Sequence, residues 1–304
     1  MQHEDNADSP VELEIPARPR KLDAFEVGRV LPAPARRMVG PFAFFDHMGP
    51  AQLEPGVGMD VRPHPHIGLA TVTYLFEGEI FHRDSLGSQQ PIRPGAINWM
   101  TAGRGIVHSE RSPAEARAQG PALHGLQLWV ALPREAEESE PAFSHHPADT
   151  IPEVEGPGVR VRVLAGEAYG RTAPTPIASR LFYVEAHLAA GARLEVPAYT
   201  ERAAYVIEGE LRGGNKTLAP RTLAVLRSGD LTALEATVPT RVVLIGGEPL
   251  GEPRWIWWNF VSSSQERIVQ AAHEWKEQRF PLVPGDEVER IPLTDEPKFS
   301  HPPG

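Results

Sequence analysis

Two short residue pairs constrain this chain more than any other feature. His64-Pro65-His66 opens one stretch and His108-Ser109-Glu110 closes it, with strand-like sequence punctuated by Gly78, Gly87 and Pro94-Gly95 between them. Each pair has i, i+2 spacing. Successive side chains of a β-strand point to opposite faces, so residues two apart share a face and both members of a pair reach one point. Two such pairs on neighbouring strands of a barrel converge on one interior spot. The pattern predicts three imidazoles and one carboxylate around a mononuclear metal. A lone H-x-H is weak, because paired histidines also lie on wet strand faces; the second pair supplies the specificity. The chain has no cysteine. A nitrogen-rich set with one oxygen suits Fe, Mn, Co, Ni, Cu or Zn, and not a thiolate structural zinc site.

Composition bounds the rest. A chain of 304 residues, 41% hydrophobic, can bury a sizeable core and has the length of two ordinary domains. Helix-poor patterning with 27 Gly and 32 Pro points to many turns and an all-β architecture. A formal net charge of -10 repels phosphate backbones, so no direct nucleic-acid binding is expected. The lack of cysteine excludes disulfides, iron-sulfur clusters and thiol nucleophiles. The N-terminus is acidic and polar, unlike a signal peptide, and no segment approaches the roughly 20 apolar residues that span a bilayer. The expectation is a cytoplasmic protein without membrane contact.

Along the chain, residues up to about Pro10 read as disordered, and Val11, Leu13 and Ile15 alternate with Glu12 and Glu14 as a strand. Asp46 and His47, after three phenylalanines, read either as residues near the site or, in preference, as a turn after a buried strand. Val72, Tyr74 and Phe76 alternate with Thr71, Thr73 and Leu75 in a half-buried strand that turns at Glu77-Gly78-Glu79. His82 either hydrogen-bonds behind the metal or is structural, and His124 is equally open. Trp99 and Met100 read as core in preference to pocket. Ser112-Pro113-Ala114-Glu115 has a capping-box pattern for a short helix ended by Gly120. The Pro-rich acidic stretch 134–157 reads as a linker, with His145 and His146 solvated. Ser263-x-x-Glu266 marks a terminal helix with Ile268, Ala272 and Trp275 on one face, ended by Pro281.

The chain also repeats itself. TYLFEGEI (73–80) matches AYVIEGEL (204–211), and Pro94-Gly95 finds a counterpart in Ser228-Gly229-Asp230. Registered on these, Glu195 and Pro197 fall opposite His64 and His66, and Val242 and Leu244 opposite His108 and Glu110. The second copy is therefore expected to lack the ligand set.

HPHIGLATVTYLFEGEIFHRDSLGS followed by RPGAINWMTAGRGIVHSER closely resembles the pirin family of the cupin superfamily, and LHGLQLWVALP and WWNFVSSSQERI extend the likeness. The resemblance implies a bicupin: two antiparallel β-barrels of jelly-roll type with a C-terminal helix. Its expected divisions are an N-terminal segment (1–39), a metal-binding cupin domain (40–133), a linker (134–157) and a metal-free cupin-like domain with the terminal helix (158–304). It also implies an N-terminal strand that packs with the second domain. Pirins usually hold iron, and their ligand motif carries over onto His64, His66, His108 and Glu110. A generic cupin places its carboxylate at the position of Ala70, which leaves Glu110 as the carboxylate ligand.

Four protein ligands on a six-coordinate iron leave positions for water, oxygen or substrate. The resemblance implies a quercetin 2,3-dioxygenase-type activity that opens the ring of a flavonol or related enediol, with Glu110 doubling as base. The competing expectation is a redox-sensitive regulator that acts through a protein partner, as a transcription cofactor or an enzyme-binding protein. A cavity with room for a flat polyphenol favours the first; a shallow solvent-filled site favours the second.

Overall fold

The computed structural model describes residues 9–22, 25–229 and 232–299, which fall into two compact units built mainly of antiparallel sheets. The expected disorder before Pro10 lies, for residues 1–8, outside the described residues.

One unit comprises residues 19–29, 43–148 and 250–304, of which the described ones are discussed. A four-stranded sheet runs Asp60–His66, Ile106–Arg111, Ile80–Asp84, Gln89–Ile92. A seven-stranded sheet centres on Leu69–Gly78 and Ala122–Ala131, and includes Phe42–Gln52 and Phe25–Leu31. The His64 strand is a sheet edge, which is why Pro63 and Pro65 are tolerated there: an edge proline withholds no ladder hydrogen bond. Ile291 covers that edge, its N–H donating to the Pro63 carbonyl at 2.9 Å. The strand Leu69–Gly78 is buried through Leu75 on both faces, where alternation predicts one. Thr71 and Thr73 are small enough to line the interior without leaving the core.

Several local expectations change. Asp46 and His47 are buried within the eleven-residue strand Phe42–Gln52 and form no turn. Ser112 caps nothing, because its hydroxyl accepts from the Met59 N–H at 2.9 Å, and the helix Ala114–Gln119 starts after Pro113 without a side-chain cap. The stretch 134–157 contains the strand Ala142–His146, paired with Ile97–Thr101, and His145 Nδ1 lies 2.6 Å from Asn98 Oδ1. These histidines are half-buried, because their strand is paired in a sheet and does not run free in solvent. The terminal helix Gln265–Lys276 is capped by Ser264, one residue later than expected, whose Oγ accepts from the Arg267 N–H. Ile268, Ala271, Ala272 and Trp275 pack with Ile67, Val107 and Phe260. That apolar face sets the helix in the same unit as the first barrel, where the sequence places it with residues 158–304.

The other unit comprises residues 1–18, 30–42 and 149–249, again described from residue 9. Val11–Pro16 pairs with Thr222–Leu226, so the N-terminal strand joins the second barrel as the resemblance implies. Its four-stranded sheet runs Arg193–Val196, Thr232–Ala236, Leu211–Gly213, Lys216–Leu218, strand for strand the order of the first unit. The ladders correct the sequence register. His64 faces His108 and His66 faces Ile106; Leu194 faces Leu234 and Val196 faces Thr232. Glu110 faces His82 as Ala236 faces Leu211. The counterparts of His64, His66, His108 and Glu110 are therefore Leu194, Val196, Leu234 and Ala236. Glu195 is one residue off and points to the wrong face, and Val242 and Leu244 lie on a different strand, Thr240–Gly247. Two mismatches are the cause: the second copy has one more residue between Leu194 and Tyr205 than the first has between His64 and Tyr74, and the Gly95 turn is matched to the wrong residue. The N–H of Gly95 (φ +79°) donates to Leu75, and that of Arg221 (φ +62°) to Val206, so Arg221 is the partner of Gly95.

Candidate metal centre

His64, His66 and His108 are buried and offer ring nitrogens within 4.8 Å of one another. The convergence follows from the ladder: His64 and His108 are directly paired, and His66 is two residues along on the same face. Nδ1 of His64 lies 2.8 Å from the Arg62 carbonyl and Nδ1 of His66 3.0 Å from the Asn259 carbonyl. A carbonyl only accepts, so both Nδ1 atoms carry the proton and both Nε2 atoms present lone pairs. Nε2 of His66 is 3.1 Å from Nε2 of His108, whose Nδ1 is buried without a hydrogen-bond partner among the described residues. Burial pushes the His64 imidazole down to about 4 and holds those of His66 and His108 well below the ordinary histidine range. Neutral, converging imidazoles are what a divalent first-row metal requires, and the residues fit one.

Glu110 stands slightly apart from that trio. Its carboxylate groups with His82 and His108, and not with His64 and His66, within the same 4.8 Å span. The ladder explains the offset, since register shifts by one residue between His108 and Glu110, the local kink typical of a bulge near a functional site. Glu110 is 7% exposed, and burial raises its carboxyl above the ordinary range. The Thr73 hydroxyl lies 3.2 Å from Glu110 Oε1 and 2.8 Å from Gln127 Oε1. One hydroxyl proton can be given to only one of them.

Behind this carboxylate, His82 Nε2 donates to Asp84 Oδ2 at 3.1 Å. Asp84 Oδ1 accepts from the N–H groups of Leu86 and Ser88. Burial pushes the Asp84 carboxyl up, but the bonds from His82 and Ser88 outweigh it and hold the group below its ordinary value. His82 thus sits beside Glu110, stacked on Phe143 at 4.5 Å. His124 lies outside the cluster, with Nε2 2.9 Å from that of His47. Trp99 and Met100 are core.

A cavity of about 510 Å³ adjoins the cluster and is lined by all four sequence-predicted residues. Its remaining wall is largely apolar, with Val27, Phe44, Met48, Met59, Trp129 and Trp258 prominent, and it carries Arg29, Asp46 and Gln127 as polar groups. Sequence reasoning missed Arg29 and the Asn259 carbonyl, and it preferred a turn to a place near the site for Asp46. Only the apolar flanks of Asp46 marked it as a buried strand residue.

Two antiparallel barrels of one topology, one of them holding a His-rich interior cluster, define a cupin-type protein with two cupin domains. The sequence matches the Pirin family over residues 24–130 and the Pirin C-terminal cupin domain over 183–281. The chain belongs to the pirin family. It is 50% identical over 290 residues to a pirin-like protein of Caulobacter vibrioides, covering 94% of this chain and 100% of that one. A Pseudomonas aeruginosa protein named "Putative quercetin 2,3-dioxygenase" is 42% identical over 282 residues, with 91% of this chain and 85% of that one covered. A crystal structure of quercetin 2,3-dioxygenase from Acinetobacter baumannii superposes with a TM-score of 0.88 at 34% identity, covering 96% of this chain and 98% of that one. Among the described residues no helix is long and apolar enough to cross a membrane.

Proposed function

We propose that this protein is a mononuclear iron-dependent dioxygenase of the quercetin 2,3-dioxygenase type, acting on a flavonol or a related enediol. His64, His66, His108 and Glu110 are the proposed ligands, and Mn, Co, Ni, Cu or Zn fit the same donors. The observation that carries the reading is the 510 Å³ cavity walled by apolar and aromatic side chains beside three neutral imidazoles and a buried carboxylate. Its volume lies in the range of small-molecule sites. When bound, the metal supplies Lewis acidity toward an enol oxygen and a route for the electrons that O₂ needs.

The protein's own groups supply the rest. His64 and His66 keep their Nε2 lone pairs directed inward because the Arg62 and Asn259 carbonyls hold their Nδ1 protons. Glu110, its proton affinity raised by burial, takes the proton of the flavonol hydroxyl. Phe44 and Trp129 give a flat ring a wall and keep water from it. A regulator working through a protein partner calls for a shallow, solvent-filled site, and the cavity favours the enzyme over it.

The test is metal analysis of anaerobically purified protein followed by oxygen consumption with flavonols. Iron-dependent consumption with release of carbon monoxide is expected. Iron-loaded protein that consumes no oxygen with any flavonol or enediol overturns the activity.

A further inference from the structure

The wall of the cavity carries a second built feature. Arg29 and Asp46 meet as a fork, Nε to Oδ1 at 2.5 Å and Nη2 to Oδ2 at 2.8 Å. The Arg29 guanidinium lies 4.2 Å from the centroid of Phe44. Phe44 stacks on Trp129 at 4.0 Å, and Trp129 meets the edge of His66 at 5.2 Å. A layered wall of cation, ring and ring therefore leads from the histidine cluster to an ion pair, and all four residues line the cavity. Among the described residues Arg29 is its one arginine or lysine, and Asp46 its one carboxylate besides Glu110. Their side chains are 29% and 6% exposed.

We infer that Arg29 and Asp46 form a recognition point for a neutral phenolic hydroxyl at the end of a planar aromatic ligand remote from the metal cluster. This rests on the proposed flavonol site and names which flavonols it takes. A hydroxyl both donates and accepts, and the pair offers a carboxylate acceptor beside a guanidinium donor. A ligand carboxylate at the same place meets the charge of Asp46, and an ammonium that of Arg29. In an apolar wall neither repulsion is screened as it is in water. The pair is neutral as a whole, so it gives no net compensation to a buried ligand charge. A ligand held at the histidines and laid along Phe44 and Trp129 brings its far ring to this pair.

The experiment measures dissociation constants on anaerobic iron-loaded protein by quenching of tryptophan fluorescence, since Trp129 and Trp258 line the cavity. The probes are 3-hydroxyflavone, its 7-hydroxyl and 4′-hydroxyl derivatives, and its 7-carboxylate. A hydroxyl derivative is expected to bind about 10- to 100-fold tighter than 3-hydroxyflavone, the effect of one hydrogen bond to a charged group. The carboxylate is expected to bind no tighter. The double variant Arg29→Met/Asp46→Leu removes both charges together, leaves no lone buried ion, and is expected to bind all the probes alike. Equal binding of every probe by the parent overturns the inference, as does a double variant that keeps the ranking. Oxygen consumption is read separately: the ranking without turnover overturns the dioxygenase and sustains this subsite, and turnover without the ranking does the reverse.

Discussion

Glu110 lies directly across the antiparallel ladder from His82, while on its other side the ladder to the His64 strand is out of step by one residue. The carboxylate therefore groups with His108 of the histidine trio and with His82, which is bonded to Asp84. Glu110→Gln keeps the side chain's shape and removes its charge. The three imidazoles should retain iron with affinity weakened about 10- to 100-fold, while flavonol turnover falls by about 10² to 10⁴. Parallel iron titration and oxygen consumption check this. A variant that matches the parent in both shows that Glu110 is neither ligand nor base.

The second barrel should bind no metal. Its positions equivalent to the four proposed ligands are Leu194, Val196, Leu234 and Ala236, all buried and apolar, and none offers a donor atom. Metal analysis should give about one equivalent per chain, lost in His64→Ala/His108→Ala. Two equivalents contradict this reading.

The histidine and glutamate pairs were legible because period-two spacing survives from sequence to strand without reference to the rest of the fold. The repeat was legible too, through its matching Glu-Gly-Glu turns at Gly78 and Gly209, both at positive φ. Its register was not, because the turn that Gly95 makes is made in the second copy by Arg221, which carries no glycine signature. On the His64 side the second copy has one residue more between Leu194 and Tyr205 than the first has between His64 and Tyr74, and a one-residue error in a strand reverses its faces. Asn259 was out of reach for a different reason: it acts on His66 through a backbone carbonyl 193 residues away, and no side chain advertises that. Arg29 and Asp46 are opposite charges on separate strands, a pairing that only the sheet order reveals.

Acid should destabilise the metal-free protein before its ordinary carboxylates titrate. The His64 imidazole is depressed from 6.5 to about 4 by burial. A depressed folded-state value means the stabilising contribution is fully present above about 6.5 and is lost as pH falls through about 4, because the unfolded chain takes up the proton first. For His64 alone the loss is on the order of 3 kcal/mol, and His66 and His108 add to it in the same direction. Denaturant melts at pH 7.5, 6 and 5 measure the decline, which His64→Leu should lessen. A metal-free parent equally stable at pH 7.5 and 5 contradicts the burial argument.

The carboxy-terminal segment should loosen when Arg111 is removed. Arg111 directly follows Glu110 and binds Asp286 through two hydrogen bonds of 2.8 and 2.9 Å, Glu289 at 2.8 Å and Asp60 at 3.1 Å. Asp60 keeps Arg117 at 2.7 Å, so the loss falls mainly on Asp286 and Glu289. Those residues hold the stretch that carries Ile291, which lines the cavity and whose N–H donates to the Pro63 carbonyl at the sheet edge. Arg111→Met should cost about 2 kcal/mol, as for a partly buried charged hydrogen-bond set. The opening should be local, because the terminal helix keeps its own apolar contacts with Ile67, Val107 and Phe260. Amide exchange at Ile291 should therefore quicken at least tenfold, on the order of what 2 kcal/mol of local stability implies, while amides in the strand Ala122–Ala131 stay protected. Uniform acceleration across both regions would mean that Arg111 supports the whole unit and not the edge alone.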